Sequence, residues 1–133
     1  MAIIVVIMAV ALAACNKVDA EGVWEDATYL NDEELGKGDT TITVEVKAGD
    51  DSIIFTVNTD KTILADALTE HDLISGEMSD YGLAVYTVNG MTADWNVDGS
   101  YWSLYVGDEY AMSGVSYIEI KDGDSFRFEL ANA

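Results

Sequence analysis

The chain has 133 residues, of which 25 are Asp or Glu and 6 are Lys or Arg, for a formal net charge of −19. A surface of that sign repels phosphate backbones and anionic lipid heads, which excludes nucleic acid and acidic membranes as partners. Half of the residues are hydrophobic, 10% are aromatic, there is no proline, and a single cysteine is present, so the chain is neither disordered nor a disulfide scaffold.

An apolar run from Ala2 to Ala14 opens the sequence and closes on Leu12-Ala13-Ala14-Cys15. About 13 apolar residues fall short of the ~20 that cross a bilayer. Leu at −3 and small residues at −2 and −1 let the backbone enter a peptidase site, and the Cys15 thiol can take a diacylglyceryl thioether. The segment resembles the signal peptide of a bacterial lipoprotein precursor, although no Lys or Arg precedes the apolar run. An ordinary secretory signal is the alternative, and it would leave a stray thiol. On the lipoprotein reading, residues 1–14 are removed and Cys15 is the lipid-attachment site. The mature protein is then held on the outer face of a bacterial membrane. The remaining 119 residues suffice for one small domain.

Residues 15–40 are acidic and read as tether and turn, with Trp24 and Tyr29 folding back on the domain. Period-two alternation then begins. Ile42, Val44 and Val46 predict one strand, and Ile53, Phe55 and Val57 a second within Ser52–Thr59. Gly49-Asp50-Asp51 joins them in a hairpin. Ile63, Leu64, Ala67, Leu68, His71, Leu73 and Ile74 recur at three and four, which predicts an amphipathic helix capped by Thr62 or Asp60 and ended by Gly76. Leu83–Val88 is the next strand, followed by an Asn89-Gly90 turn and a second turn over Trp95–Gly99. In Tyr101–Val106, Trp102, Leu104 and Val106 share one face, while Tyr101, Ser103 and Tyr105 share the other. Residues 107–114 form a loop between strands, and Phe126, Phe128 and Leu130 line the last strand. A hairpin, one helix, then more strands is the order of an α+β, β-grasp-like mixed sheet with one packed helix. The domain spans residues 41–133.

The segments Tyr101-Trp102-Ser103-Leu104-Tyr105-Val106, Gly114-Val115 and Lys121-Asp122-Gly123-Asp124 follow in a set order, with Gly114 twelve residues after Trp102. With Leu64-Ala65-Asp66-Ala67-Leu68 and Val88-Asn89-Gly90-Met91-Thr92-Ala93-Asp94 upstream, they resemble the C-terminal domain of transcobalamin and intrinsic factor, in its bacterial lipoprotein branch. The resemblance covers residues 41–130 and implies a ligand-binding β-grasp. It also implies an apolar contact with a corrinoid, such as cobalamin, through Leu104 and Ala111, beside Tyr110 and Met112. The animal proteins clamp cobalamin between this domain and a helical barrel that has no counterpart in this sequence. A docking surface for a transporter component or a helical partner is therefore the alternative function.

Three further constellations bear on chemistry. Asp94-Trp95-Asn96-Val97-Asp98-Gly99-Ser100 matches the first half of a calcium loop, but position 12 is Tyr105 where a bidentate Glu belongs, so a shaped turn is preferred. His71 is the only histidine and lacks partners for a triad or a zinc site, so it is expected at a helix C-terminus. No metal, catalytic group or cofactor is expected, a bound corrinoid aside, and enzymatic activity is not expected. Leu104, Tyr110, Ala111 and Met112 form the expected ligand rim, flanked by Tyr101 and Trp95. Met112 tucked under the loop as a plug is the competing arrangement.

Overall fold

Strict alternation builds the centre of the fold. In β2 (Thr40–Ala48), Ile42, Val44, Val46 and Ala48 are buried, and the residues between them are half-buried. β3 (Asp51–Thr59) repeats the pattern with Ile53, Phe55 and Val57, and pairs antiparallel to β2 with Val44 opposite Phe55. The computed structural model describes residues 17–132, so the apolar run and Cys15 lie outside the described residues.

The last strand, β9 (Ser125–Asn132), lies beside the first long one. It runs parallel to β2, with Val44 opposite Phe126 and Val46 opposite Phe128. Its other edge takes β7 (Ser100–Val106) in antiparallel register, with Leu104 opposite Phe128 and Tyr105 opposite Arg127. With β1 (Glu33–Leu35) and β8 (Glu109–Tyr110) at the margins, the order is β1-β3-β2-β9-β7-β8. A hairpin whose first strand pairs in parallel with the final strand is the arrangement of a β-grasp sheet. A second, three-stranded sheet, β4-β5-β6, was not expected. It comprises β4 (Ile74–Ser79), β5 (Gly82–Val88) and β6 (Met91–Thr92).

The helix is shorter than its apolar spacing predicts. It covers Leu64–Thr69, is capped by Ile63 with no side-chain hydrogen bond, and buries Leu64, Ala65, Ala67 and Leu68. Neither Thr62 nor Asp60 caps it. The Thr62 carbonyl accepts from the Ile120 N–H, and Asp60 Oδ1 accepts from the Asp39 N–H. Asp72 adopts φ 55°, which turns the chain out of the helix, and the Leu73 N–H returns to the Leu68 carbonyl at 3.0 Å. Leu73 is thus the apolar residue that closes a left-handed helix cap, not a further turn. Ile74 already pairs with Val88. Gly76 sits inside β4 at a bulge, where a Cβ would come within 1.7 Å of the Ala84 carbonyl oxygen.

Residues 17–35, read as tether and turn, are built into the fold. Gly22–Asp26 is a 3-10 turn that buries Trp24, whose Nε1 donates to the Ala48 carbonyl at 3.1 Å. The Tyr29 ring meets Phe55 edge-on at 5.6 Å. β1 pairs in parallel with β3. Residues 107–114 are not wholly a loop, because Tyr110 pairs with Tyr105 as part of β8. Beyond Gly114, Val115–Tyr117 is a 3-10 turn, and Glu119 makes only a single bridge to Ile63.

One side chain fastens the N-terminal segment to the small sheet. Asn89 is 1% exposed and takes φ 52° in the turn between β5 and β6. Its Oδ1 accepts from the Tyr29 N–H, and its Nδ2 donates to the Tyr29 carbonyl, each at 3.0 Å. The amide thereby mimics a paired strand residue. Asn89→Ala strands both Tyr29 backbone groups and places a less tolerant residue at positive φ. A loss of about 2–4 kcal/mol is expected, read as a lower urea midpoint with an unchanged slope.

Candidate functional site

The concave surface nearest the expected rim lies between the two sheets. Its floor is Phe128 of β9 with Trp102 and Leu104 of β7. Leu83 and Val85 of β5 form one wall, and residues 110–115 form the other. The groove holds about 350 Å³. Alternation explains the floor, since Trp102 and Leu104 share the inner face of β7 and Leu104 stands directly across from Phe128. The β5 wall is held in place by the loop, because the Leu83 N–H donates to Ser116 Oγ at 3.0 Å.

Trp102 is both core and groove lining. It is 8% exposed, and its Nε1 donates to the Met91 carbonyl at 3.1 Å, so the ring joins the large sheet to β6. Leu83, Val85 and Leu104 are only partly buried and pack against the core from the groove side. No Asp, Glu, Lys, Arg or His lines the groove. In a chain of net charge −19, that is a marked local exclusion of charge.

Four of the six expected rim residues border this groove: Leu104, Tyr110, Ala111 and Met112. The Ala111 N–H donates to the Leu104 carbonyl at 2.9 Å, which continues the β7–β8 ladder and fixes the wall. Met112 is 95% exposed at the lip, so it is not a plug. Tyr110 borders the groove, but its ring stacks edge-on with Tyr105 at 5.6 Å. Tyr105 belongs to the opposite face of β7, where the Arg127 guanidinium covers its ring at 4.2 Å.

Tyr101 and Trp95 are not part of the groove. Tyr101 alternates with Trp102 and therefore lies on the outer face of the sheet. Its ring meets Trp95 at 5.9 Å, and Trp95 lines a separate cavity. Seven groove residues fall outside the expected rim: Leu83, Val85, Trp102 and Phe128, whose pattern places them in strands, and Ser113, Gly114 and Val115. Only the second sheet brings β5 across from β7.

Among the described residues, no group of three or more His, Cys, Asp or Glu side chains gathers to hold a metal. The 94–100 segment forms one helical turn, Trp95–Asp98; Asp94 caps its start, and Asp98 closes a turn onto Ser100. Asp94 Oδ1 accepts from the Asn96 N–H, and Asp98 Oδ1 accepts from both the N–H and the hydroxyl of Ser100. His71 follows the helix, with Nε2 3.6 Å from Glu70 Oε1. The hydrogen bonds from the Ser100 side chain and backbone hold the Asp98 carboxyl below the ordinary aspartate range. A lowered folded-state pKa means that this contribution is present above the unfolded value and is lost as pH falls through the folded one. Ser100→Ala should move the Asp98 titration upward toward the ordinary value. Carboxyl-carbon NMR against pH reads that shift, and an unmoved titration would contradict the assignment.

The comparisons with known proteins agree with this architecture. No curated protein matches the sequence significantly. A crystal structure of a "putative metal binding protein" from Ruminococcus gnavus is similar at 31% identity and a TM-score of 0.67, covering 71% of this chain and 99% of that one. Haptocorrin in complex with Cbi is similar at 18% identity and a TM-score of 0.56, covering 70% of this chain and 25% of that one. At that identity the likeness is one of fold, and it carries the expected resemblance to the transcobalamin group at that level. Residues 61–132, more than half of the sequence, match the model of a domain of unknown function, DUF4430. That segment runs from the helix through β9 and includes every residue of the groove, so the chain belongs to the DUF4430 family.

Proposed function

We propose that the protein is a lipid-anchored, non-catalytic ligand-binding module of the bacterial cell envelope, and that the groove between the two sheets is its binding site. The observation that carries this reading is the groove itself, a cleft on a strongly acidic protein that no charged residue lines and most of whose lining residues are apolar in type. Ligand sites are concave and mostly apolar, with volumes of about 300–1,000 Å³. At about 350 Å³ the groove is at the small end of that range, so it suits one face or edge of a ligand rather than a whole large one. A corrinoid is the first candidate. Support comes from the fold shared with haptocorrin, whose structure contains Cbi, and from Leu104 on the groove floor beside Ala111 on its wall.

Titration calorimetry against cobalamin and cobinamide tests the ligand. Saturable heat is expected, and Ala111→Asp should weaken binding tenfold or more, about 1.4 kcal/mol, with little change in melting temperature. No heat and no visible-band shift at high micromolar corrinoid would remove this candidate. A second reading, docking to a partner that closes the cleft, draws on the open lip, where Met112 is 95% exposed. In that case the chain alone binds no corrinoid, and envelope extract yields a specific partner that Ala111→Asp fails to capture.

The anchor has its own test. Cys15→Ser should block lipid labelling and leave unprocessed precursor. A diacyl anchor needs no polybasic patch, since each buried methylene contributes about 0.8 kcal/mol. A processed, lipid-labelled Cys15→Ser protein would overturn the lipoprotein reading.

A further inference from the structure

A second cavity of about 380 Å³ lies on the small sheet and shares no lining residue with the groove. It is lined by Glu77 of β4, Tyr86 of β5, Thr92 of β6, then Ala93, Asp94, Trp95 and Asn96. Two features show that it is built. The β4–β5 register shifts between Ser75 and Gly76, so that Thr87 pairs with Ser75 and Val85 with Gly76, while Tyr86 between them is the extra residue. A bulge of this kind re-aims a side chain. Trp95 is likewise set by the helical turn that Asp94 caps, and its ring leans on Tyr101 at 5.9 Å. Both rings remain accessible, Tyr86 at 45% and Trp95 at 59%.

The lining chemistry narrows the ligand. Two aromatic rings offer negative faces, and two carboxylates add formal negative charge. No Lys, Arg or His lines the cavity. An anion is therefore repelled, and a neutral apolar molecule would desolvate Glu77 and Asp94 without replacing their water. A calcium ion is poorly served, because Asp94 Oδ1 already accepts from the Asn96 N–H and, among the described residues, no third His, Cys, Asp or Glu joins Glu77 and Asp94 to hold a metal. A soft organic cation matches both features, because its charge meets the carboxylates while its methyl or methylene shell lies on the rings. The net charge of −19 raises the local concentration of any such cation.

We propose that this cavity binds an organic ammonium group between Tyr86 and Trp95, with Glu77 and Asp94 as counter-charges. The group can belong to a free small molecule or to a lysine side chain on a partner, and the probes separate these sources. Choline represents the first, and N-acetyl-lysine-N-methylamide the second. The neutral control is 3,3-dimethyl-1-butanol, which has the shape of choline without its charge. Trp24 and Trp102 are buried, so intrinsic fluorescence reports chiefly on solvent access to Trp95. A saturable change is expected with the ammonium probes, and the tighter of the two identifies the source. The neutral control should bind at least tenfold more weakly. Ligand-observed NMR, which does not depend on the reporter ring, should show at least tenfold weaker binding to Trp95→Leu and to Tyr86→Leu. Glu77→Gln should reduce affinity severalfold and flatten its salt dependence. Circular dichroism confirms folding. If one aromatic variant fails to fold, the other and Glu77→Gln decide. Equal binding of the neutral control overturns the proposal, as does affinity unchanged in the folded variants. So does an absence of saturation by either ammonium probe up to about 0.1 M, beyond which no useful site remains.

Discussion

The parallel pairing of β2 with β9 is the constraint on which the rest of the molecule depends. Val44 lies opposite Phe126, and Val46 opposite Phe128, so the final strand occupies the middle of the sheet. Parallel neighbours cannot be joined by a tight turn and require a crossover. Here the crossover leaves through β3 and runs to Asp124, and it holds the helix, the small sheet and β7. Every residue of both cavities except Phe128 belongs to that excursion. Function is thus carried by the connection, and the sheet core supplies its rigid base. The same topology delays closure of the core until the last strand is in place, because its central contacts are far apart in sequence.

The two faces of the large sheet are finished by different physics. The inner face is closed by apolar packing against the helix and the small sheet. On the outer face, Arg127 and Tyr105 stand directly opposite in register, and the guanidinium covers the ring while its Nε meets Glu129 at 2.7 Å. Tyr110 closes the far side of Tyr105 edge-on. Aromatic and cation–ring contacts of this kind stabilise a solvated sheet face by about 0.5–1 kcal/mol each. The cluster of aromatics in this part of the sequence therefore divides among core, outer face and cavity.

That division explains which parts were legible in the sequence. β2, β3, β7 and β9 each bury one face, and burial of one face imposes a period of two on the residues. Trp24 was legible because so large an apolar side chain does not stay in a tether. β1 was not, since Glu33-Glu34-Leu35 carries no alternation and is held through its backbone pairing with β3. The helix looked longer than it is because Leu73, the apolar residue of the cap, continues the helical spacing after the chain has turned at Asp72. Within the candidate site, strand face and loop position bring Leu104, Tyr110, Ala111 and Met112 together at the groove. Trp95 and Tyr101 lie apart from it, because nearness in sequence says nothing about which side of a strand a ring occupies. The β5 wall depends on a second sheet, whose bulge and turn hydrogen bonds leave no periodic trace.

Charge completes the account of how one acidic domain can offer two unlike surfaces. Acidic residues are four times as frequent as basic ones, yet the groove walls contain none of either. Keeping that cleft uncharged matters because an apolar ligand face gains little from a surface that holds its water through ionised groups. The second cavity reverses the rule and sets two carboxylates beside accessible rings. What separates the two environments is the alternation of β5. Leu83 and Val85 face the groove, while Tyr86, the extra residue at the β4–β5 bulge, lines the second cavity. Gly76 permits that bulge, because any side chain there would meet the backbone of Ala84. The two faces of one seven-residue strand thus serve two cavities of opposite chemistry.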